Sequence, residues 1–98
     1  MVDLTHKEGE KYILHHKEGK LWRIQACKNF GNIKKYDFGG LIQSEKNLSQ
    51  DGNCWVAYDA KVYGNAYVCD DALIFGTSVV SGNSKIYNEA WICENSVV

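Results

Sequence analysis

From Gly52 onward the chain divides without gaps into six-residue lines: GNCWVA, YDAKVY, GNAYVC, DDALIF, GTSVVS, GNSKIY, NEAWIC and ENSVV. Neither a helix nor an ordinary strand pair repeats at six, so a fixed period over almost half the chain constrains the fold more than any other feature. The third residue of each line is small: Cys54, Ala60, Ala66, Ala72, Ser78, Ser84, Ala90 and Ser96. The fifth is always aliphatic: Val56, Val62, Val68, Ile74, Val80, Ile86, Ile92 and Val98. Side chains alternate faces along a strand, so these two positions share one side and form an interior. The first two residues are mostly Gly, Asn and Asp, which accept turn dihedrals. Each line therefore predicts a short strand followed by a corner.

This pattern resembles the hexapeptide-repeat family of left-handed parallel β-helices, in which three units make one triangular coil of eighteen residues. The hand and the three-sided coil are what the resemblance implies. The corner here reads "VYGNA", with Gly and Asn just before the small residue, where many family members place Gly directly after the aliphatic one. A second likeness lies upstream. Residues 21 to 56, "LWRIQACKNFGNIKKYDFGGLIQSEKNLSQDGNCWV", look like the opening segment of a group of bacterial and phage hexapeptide-type proteins described as transferases. The expected fold class is all-β: a left-handed parallel β-helix of about two and a half coils with an N-terminal β-hairpin cap.

Before the repeats, "KYILHH" and "LWRIQA" flank "KEGK" and read as a hairpin with Gly19 in its turn. Residues 1–51 are expected to cap the first coil, and 52–98 to form the repeats, within one structural domain. A cap is needed because an uncovered solenoid end exposes apolar cross-section and unpaired strand edges. No polar cap follows Val97 and Val98. Either the chain is a piece of a longer solenoid, or that end meets another copy.

In an eighteen-residue coil, residues eighteen apart stack ~4.8 Å from one another. One outward face then carries Trp55, Leu73 and Trp91 beside Ala57, Phe75 and Cys93, all apolar. A second carries Lys61, Val79 and Val97 with Tyr63 and Ser81. The third carries Tyr67 and Lys85 with Cys69 and Tyr87. The apolar face exceeds what a soluble monomer usually exposes and predicts an interface of Trp55, Leu73, Phe75 and Trp91, joined by the terminal Val97 and Val98. The competing reading is that the cap or a long loop folds over this face within one chain. Asp70, Asp71, Glu89 and Glu94 form an acidic set of corners that either imitates nucleic-acid phosphates or is simply solvated.

The sequence offers little catalytic chemistry. Enzymes of the family commonly use a histidine general base with acyl-coenzyme A between subunits of a trimer, yet the repeats hold no histidine, and His6, His15 and His16 match no family motif. There is no inserted loop between hexads to build an acceptor pocket. Cys27, Cys54, Cys69 and Cys93 include no C-x-x-C spacing. Cys54 falls at an inward small position and reads as core filling. Cys69 and Cys93 lie on different sides of the coil, against a bridge between them. A metal site borrowing His15, His16 and Cys27 has little support. "DFGG" at 37–40 recapitulates a kinase triplet without the rest of a kinase, and its glycines more simply shape the approach to the first coil. "NLS" at 47–49 fits a glycosylation acceptor, which has no meaning in a cytoplasmic protein. No catalytic residue, metal or cofactor is assigned.

Net charge is −1, from 11 basic and 12 acidic side chains. The first half is mildly basic and the second mildly acidic, neither enough for the basic footprint of a nucleic-acid binder. No apolar run approaches the ~20 residues that span a bilayer, and the polar start is unlike a signal peptide. A cytoplasmic home, in a host cytoplasm if the chain is phage-encoded, is the expectation. The expected function is a non-catalytic β-solenoid binding protein that self-associates as a dimer or trimer. The upstream likeness adds a concrete version: a small phage or prophage inhibitor docking on a foreign protein such as a host defence nuclease, in the manner of an anti-CRISPR protein. The alternatives are a reduced acyltransferase with an inter-subunit acyl-coenzyme A site and a fragment of a longer structural solenoid.

Overall fold

The structure is a computed structural model and describes residues 10–92 and 97. The chain is all-β, with one 3-10 turn at Glu45–Asn47 as its helical element among the described residues. The predicted hairpin is present: β1 (Tyr12–Glu18) and β2 (Leu21–Ala26) pair antiparallel, with a register shift between Leu14 and His16. Gly19 turns the chain at φ 66°, a left-handed conformation that Gly adopts without a Cβ penalty.

Seven two-residue strands follow at six-residue intervals: β4 (Trp55–Val56), β5 (Lys61–Val62), β6 (Tyr67–Val68), β7 (Leu73–Ile74), β8 (Val79–Val80), β9 (Lys85–Ile86) and β10 (Trp91–Ile92). Each pairs in parallel with a strand eighteen residues away: Trp55 with Leu73, Lys61 with Val79, Tyr67 with Lys85, Leu73 with Trp91. Six residues thus move the chain to the next sheet and eighteen return it. From Trp55 to Phe75 every second backbone N–H donates to the carbonyl seventeen residues later, at 2.7–3.2 Å. This ladder satisfies backbone groups that strands of two residues could not satisfy locally.

The corners explain the first position of the first seven lines. Gly52, Tyr58, Gly64, Asp70, Gly76, Gly82 and Asn88 all have φ between 56° and 77°. Asp70 and Asn88 tolerate this region because a short polar side chain can bond locally, whereas Tyr58 has no such relief. Inward, Cys54, Val56, Ala60, Val62, Ala66, Val68, Ala72, Ile74, Ser78 and Val80 are fully buried, as the small and aliphatic positions require. Ser78 stays satisfied by donating to Phe75 O at 3.0 Å.

Parallel pairing reaches further upstream than the six-residue lines. Strand β3 (Phe38–Ile42) lies between β2 and β5, antiparallel to the first and parallel to the second, and so joins the hairpin to the ladder in one five-stranded sheet ordered β1-β2-β3-β5-β8. Leu41 pairs with Lys61, and Leu48 bridges Val68, a spacing of twenty rather than eighteen. The two extra residues fall between Leu48 and Trp55, after the turn at Ser44–Asn47, across which the spacing stays at twenty. The turn's buried Asn47 accepts from Gln43 N and Ser44 N, both at 3.0 Å, and donates to Ala66 O at 2.8 Å and Gly64 O at 3.2 Å. The other sheets, β10-β7-β4 and β6-β9, belong wholly to the repeats.

Candidate interaction surface

Strands β4, β7 and β10 place Trp55, Leu73 and Trp91 in one in-register column, with Ala57 and Phe75 at the equivalent positions two residues on. The column is not uniformly open. Trp91 is 67% exposed and packs edge-on against Phe75, ring centroids 6.1 Å apart, while Leu73 and Phe75 are half-buried.

Trp55 corrects the expectation of an interface residue, because it is only 1% exposed. Phe30 from the loop after β2 meets its ring edge-on at 5.2 Å, and Tyr12 from β1 does so at 6.3 Å. Tyr12 is fixed in turn by donating to Leu48 O at 2.6 Å. The capping segment therefore covers the lower end of the face, so the internal-cover reading holds there and leaves Leu73, Phe75 and Trp91 as its open part. Burying one of the column's two tryptophans inside its own chain removes the free energy it would have brought to an interface.

Val97 is 79% exposed but bridges Val79, which puts it on the side of β5 and β8 rather than beside Trp91. Val98, Cys93, Glu94 and His6 lie outside the described residues. Asp70, Asp71 and Glu89 are exposed at corners. Two of these carboxylates have structural partners in neighbouring coils: Asp70 accepts from Asn88 N at 3.0 Å and Asp71 from Asn53 N at 3.1 Å. They behave as corner braces, like the Asn65–Asn83 side-chain bond at 3.1 Å.

Where the cap meets the column there is a cleft of about 290 Å³ lined by Asn32, Ile33, Asp37, Phe38, Trp55, Ala57 and Tyr58. Phe38 and Tyr58 stand at 52% and 72% exposure. Trp55 and Ala57 are the bottom members of the stack that ends in Trp91, so cleft and exposed tryptophan occupy the same side of the molecule. Phe38, and the significance of Tyr58, were not found in the sequence, because neither belongs to the repeat's interior. The available signal was a bulky aromatic at a corner position otherwise given to Gly, Asp and Asn.

Arg23 braces the backbone at Tyr58 and at Gly39, next to Phe38. Its guanidinium donates to Glu18 at 2.9 and 3.1 Å, to Gly39 O at 3.1 Å and to Tyr58 O at 2.6 Å, with Asp59 at 3.5 Å. Hydrogen bonding by Arg23 and then by His16 holds the Glu18 carboxyl down at about 2. His15 and His16 share a 2.8 Å contact between their Nδ1 atoms, and His16 reaches Glu18 at 2.8 Å. Among the described residues no three His, Cys, Asp or Glu side chains are placed to hold a metal ion, and no helix is long and apolar enough to cross a membrane. Comparison with protein-family models, with curated proteins and with solved structures found no match to this chain.

Proposed function

We propose that this chain is a non-catalytic β-solenoid binding protein of the cytoplasm, wound as a left-handed hexapeptide-type helix, that pairs with a second copy of itself. Support for the winding is the eighteen-residue return of each strand to its own sheet, together with small and aliphatic residues inside. The observation that carries the binding role is Trp91: a large ring, 67% exposed, seated on Phe75 at the top of an in-register apolar column.

The same side carries the cleft, two coil steps or roughly 10 Å below Trp91. Two copies packed antiparallel across a two-fold axis bring each Trp91 to the other's cleft, between Phe38 and Tyr58. Such a contact is self-complementary, as a closed dimer requires. Molar mass by light scattering over a range of concentrations tests it. A dimer for the parent chain and a monomer for Trp91→Lys is the expected result; a monomeric parent, or a variant that keeps the native mass, overturns it. A trimer also overturns two-fold pairing and puts an inter-subunit groove of the acyltransferase kind in its place.

Docking on a foreign protein, in the phage or prophage setting that the opening segment's likeness implies, is the second reading. It is favoured by Tyr36 and Tyr58, both held at positive φ (79° and 56°) with rings exposed. Strain kept at exposed aromatics is a recurrent mark of a contact site. This reading requires a stable monomer and a stoichiometric complex with a purified host protein that Tyr58→Ala weakens; an unaffected complex removes Tyr58 from the contact.

A further inference from the structure

We propose that Lys11 and Cys54 are an oxidisable pair, in which peroxide joins Nζ to Sγ and locks the capping hairpin to the first coil. Both residues are fully buried, and Nζ lies 3.1 Å from Sγ. Lysine is almost never fully buried without a charged partner. Here Nζ instead donates to Cys54 O at 2.8 Å, Gly52 O at 3.3 Å and Asp51 O at 3.4 Å, with the Phe30 ring centroid 5.1 Å away. These bonds aim the nitrogen at the sulfur. The thiol is oriented too, with Ser49 O at 3.5 Å and Asp51 O at 3.6 Å from Sγ. Reacting atoms about 3–3.5 Å apart in a fixed frame are in near-attack geometry.

The chemistry balances with hydrogen peroxide as the oxidant. The sulfur of Cys54 attacks one peroxide oxygen, the O–O bond breaks, and water leaves with the thiol proton, giving a sulfenic acid. Lys11, as the neutral amine, then attacks that sulfur. The S–O bond breaks, hydroxide leaves and takes a proton from nitrogen, and a second water is formed beside a sulfenamide. Sulfur has lost two electrons and peroxide has gained them. Burial disfavours the ammonium of Lys11, which eases the required loss of its proton. Peroxide is close to water in size and reaches the site through local opening of the loop at Ser49–Asp51.

The bond ties residue 11 to residue 54, so it closes the cap over Trp55 and over the lower wall of the cleft. The test is peptide mapping of the whole chain, without reductant, after exposure to hydrogen peroxide. The expected product is the Lys11 peptide joined to the Cys54 peptide, lighter than their sum by two hydrogens, with an upward shift in Tm that dithiothreitol removes. Lys11→Arg keeps the cation without a free amine, and Cys54→Ser keeps the size without the sulfur; neither forms the link. Should either variant fail to fold, the map of the parent chain still decides. Recovery of Cys54 as sulfinic or sulfonic acid with Lys11 free overturns the proposal, as does unmodified Cys54 in a chain whose Cys27 and Cys69 have reacted.

Discussion

Tyr58 occupies a backbone position that six other corners give to Gly, Asp or Asn, and it is the one bulky residue among them. A left-handed backbone costs an ordinary residue roughly 1–2 kcal/mol, so Tyr58→Asn is expected to raise stability by about 1 kcal/mol in urea unfolding. The same change should weaken dimerisation in light scattering, since it removes a cleft wall. Opposite signs in the two assays mark strain kept for contact; loss of stability would show that the ring serves the fold. Asn47 is the converse case, a buried polar side chain whose four bonds hold a turn onto the coil. Asn47→Ala leaves buried backbone groups without partners and should cost about 3 kcal/mol by the same unfolding measurement.

Among the elements, β3 decides how the cap and the repeats become one body. Its Gly39 and Gly40 are there because the backbone runs against the first hexads. A Cβ on Gly40 would meet Ala60 O at 2.5 Å and Val56 Cγ1 at 2.7 Å. Backbone cannot swing aside as a side chain can, so Gly40→Ala should lose about 3 kcal/mol, read as a fall in Tm. The hairpin is clamped to the coil by the Glu18–Arg23–Asp59 cluster. Glu18 titrates at about 2 rather than at its ordinary 4.5. A carboxyl with a depressed folded value contributes stability that is complete above the ordinary value and is lost as pH falls through the folded one. The Tm difference between the parent and Glu18→Gln should therefore be steady above about 4.5 and vanish on approaching about 2. A difference that persists unchanged at the acid end would show that Glu18 acts by packing.

At the scale of the whole molecule, one side of the repeat ladder is covered at its base and open at its top. Trp55 is buried by Phe30 and Tyr12, while Trp91 is exposed two steps above. Burying exposed apolar area contributes ~25 cal/mol per Å², so removing Trp91 from a dimer should shift its dissociation strongly. Combining Trp91→Ala with Phe38→Ala tests the antiparallel arrangement directly. The two losses of dimer affinity should fall short of additive, because each residue supplies half of the same contact; simple additivity would separate Trp91 from the cleft.

Periodicity alone determined the strand positions, the inward residues and the corner dihedrals, because each follows from neighbours a few residues apart on a regular backbone, whereas the eighteen-residue return was what the family resemblance implied. The hairpin was equally legible from its turn and flanking strands. Only the tertiary structure decided that pairing begins at β3 with a spacing of twenty, that Trp55 belongs to the cap's core, and that Lys11 is buried beside Cys54. These depend on where an irregular segment crosses the first coil, and no local pattern encodes that crossing. The open column at Leu73, Phe75 and Trp91 is the shared result: the repeat lined the residues up, and the reach of the cap determined how many of them remained outside.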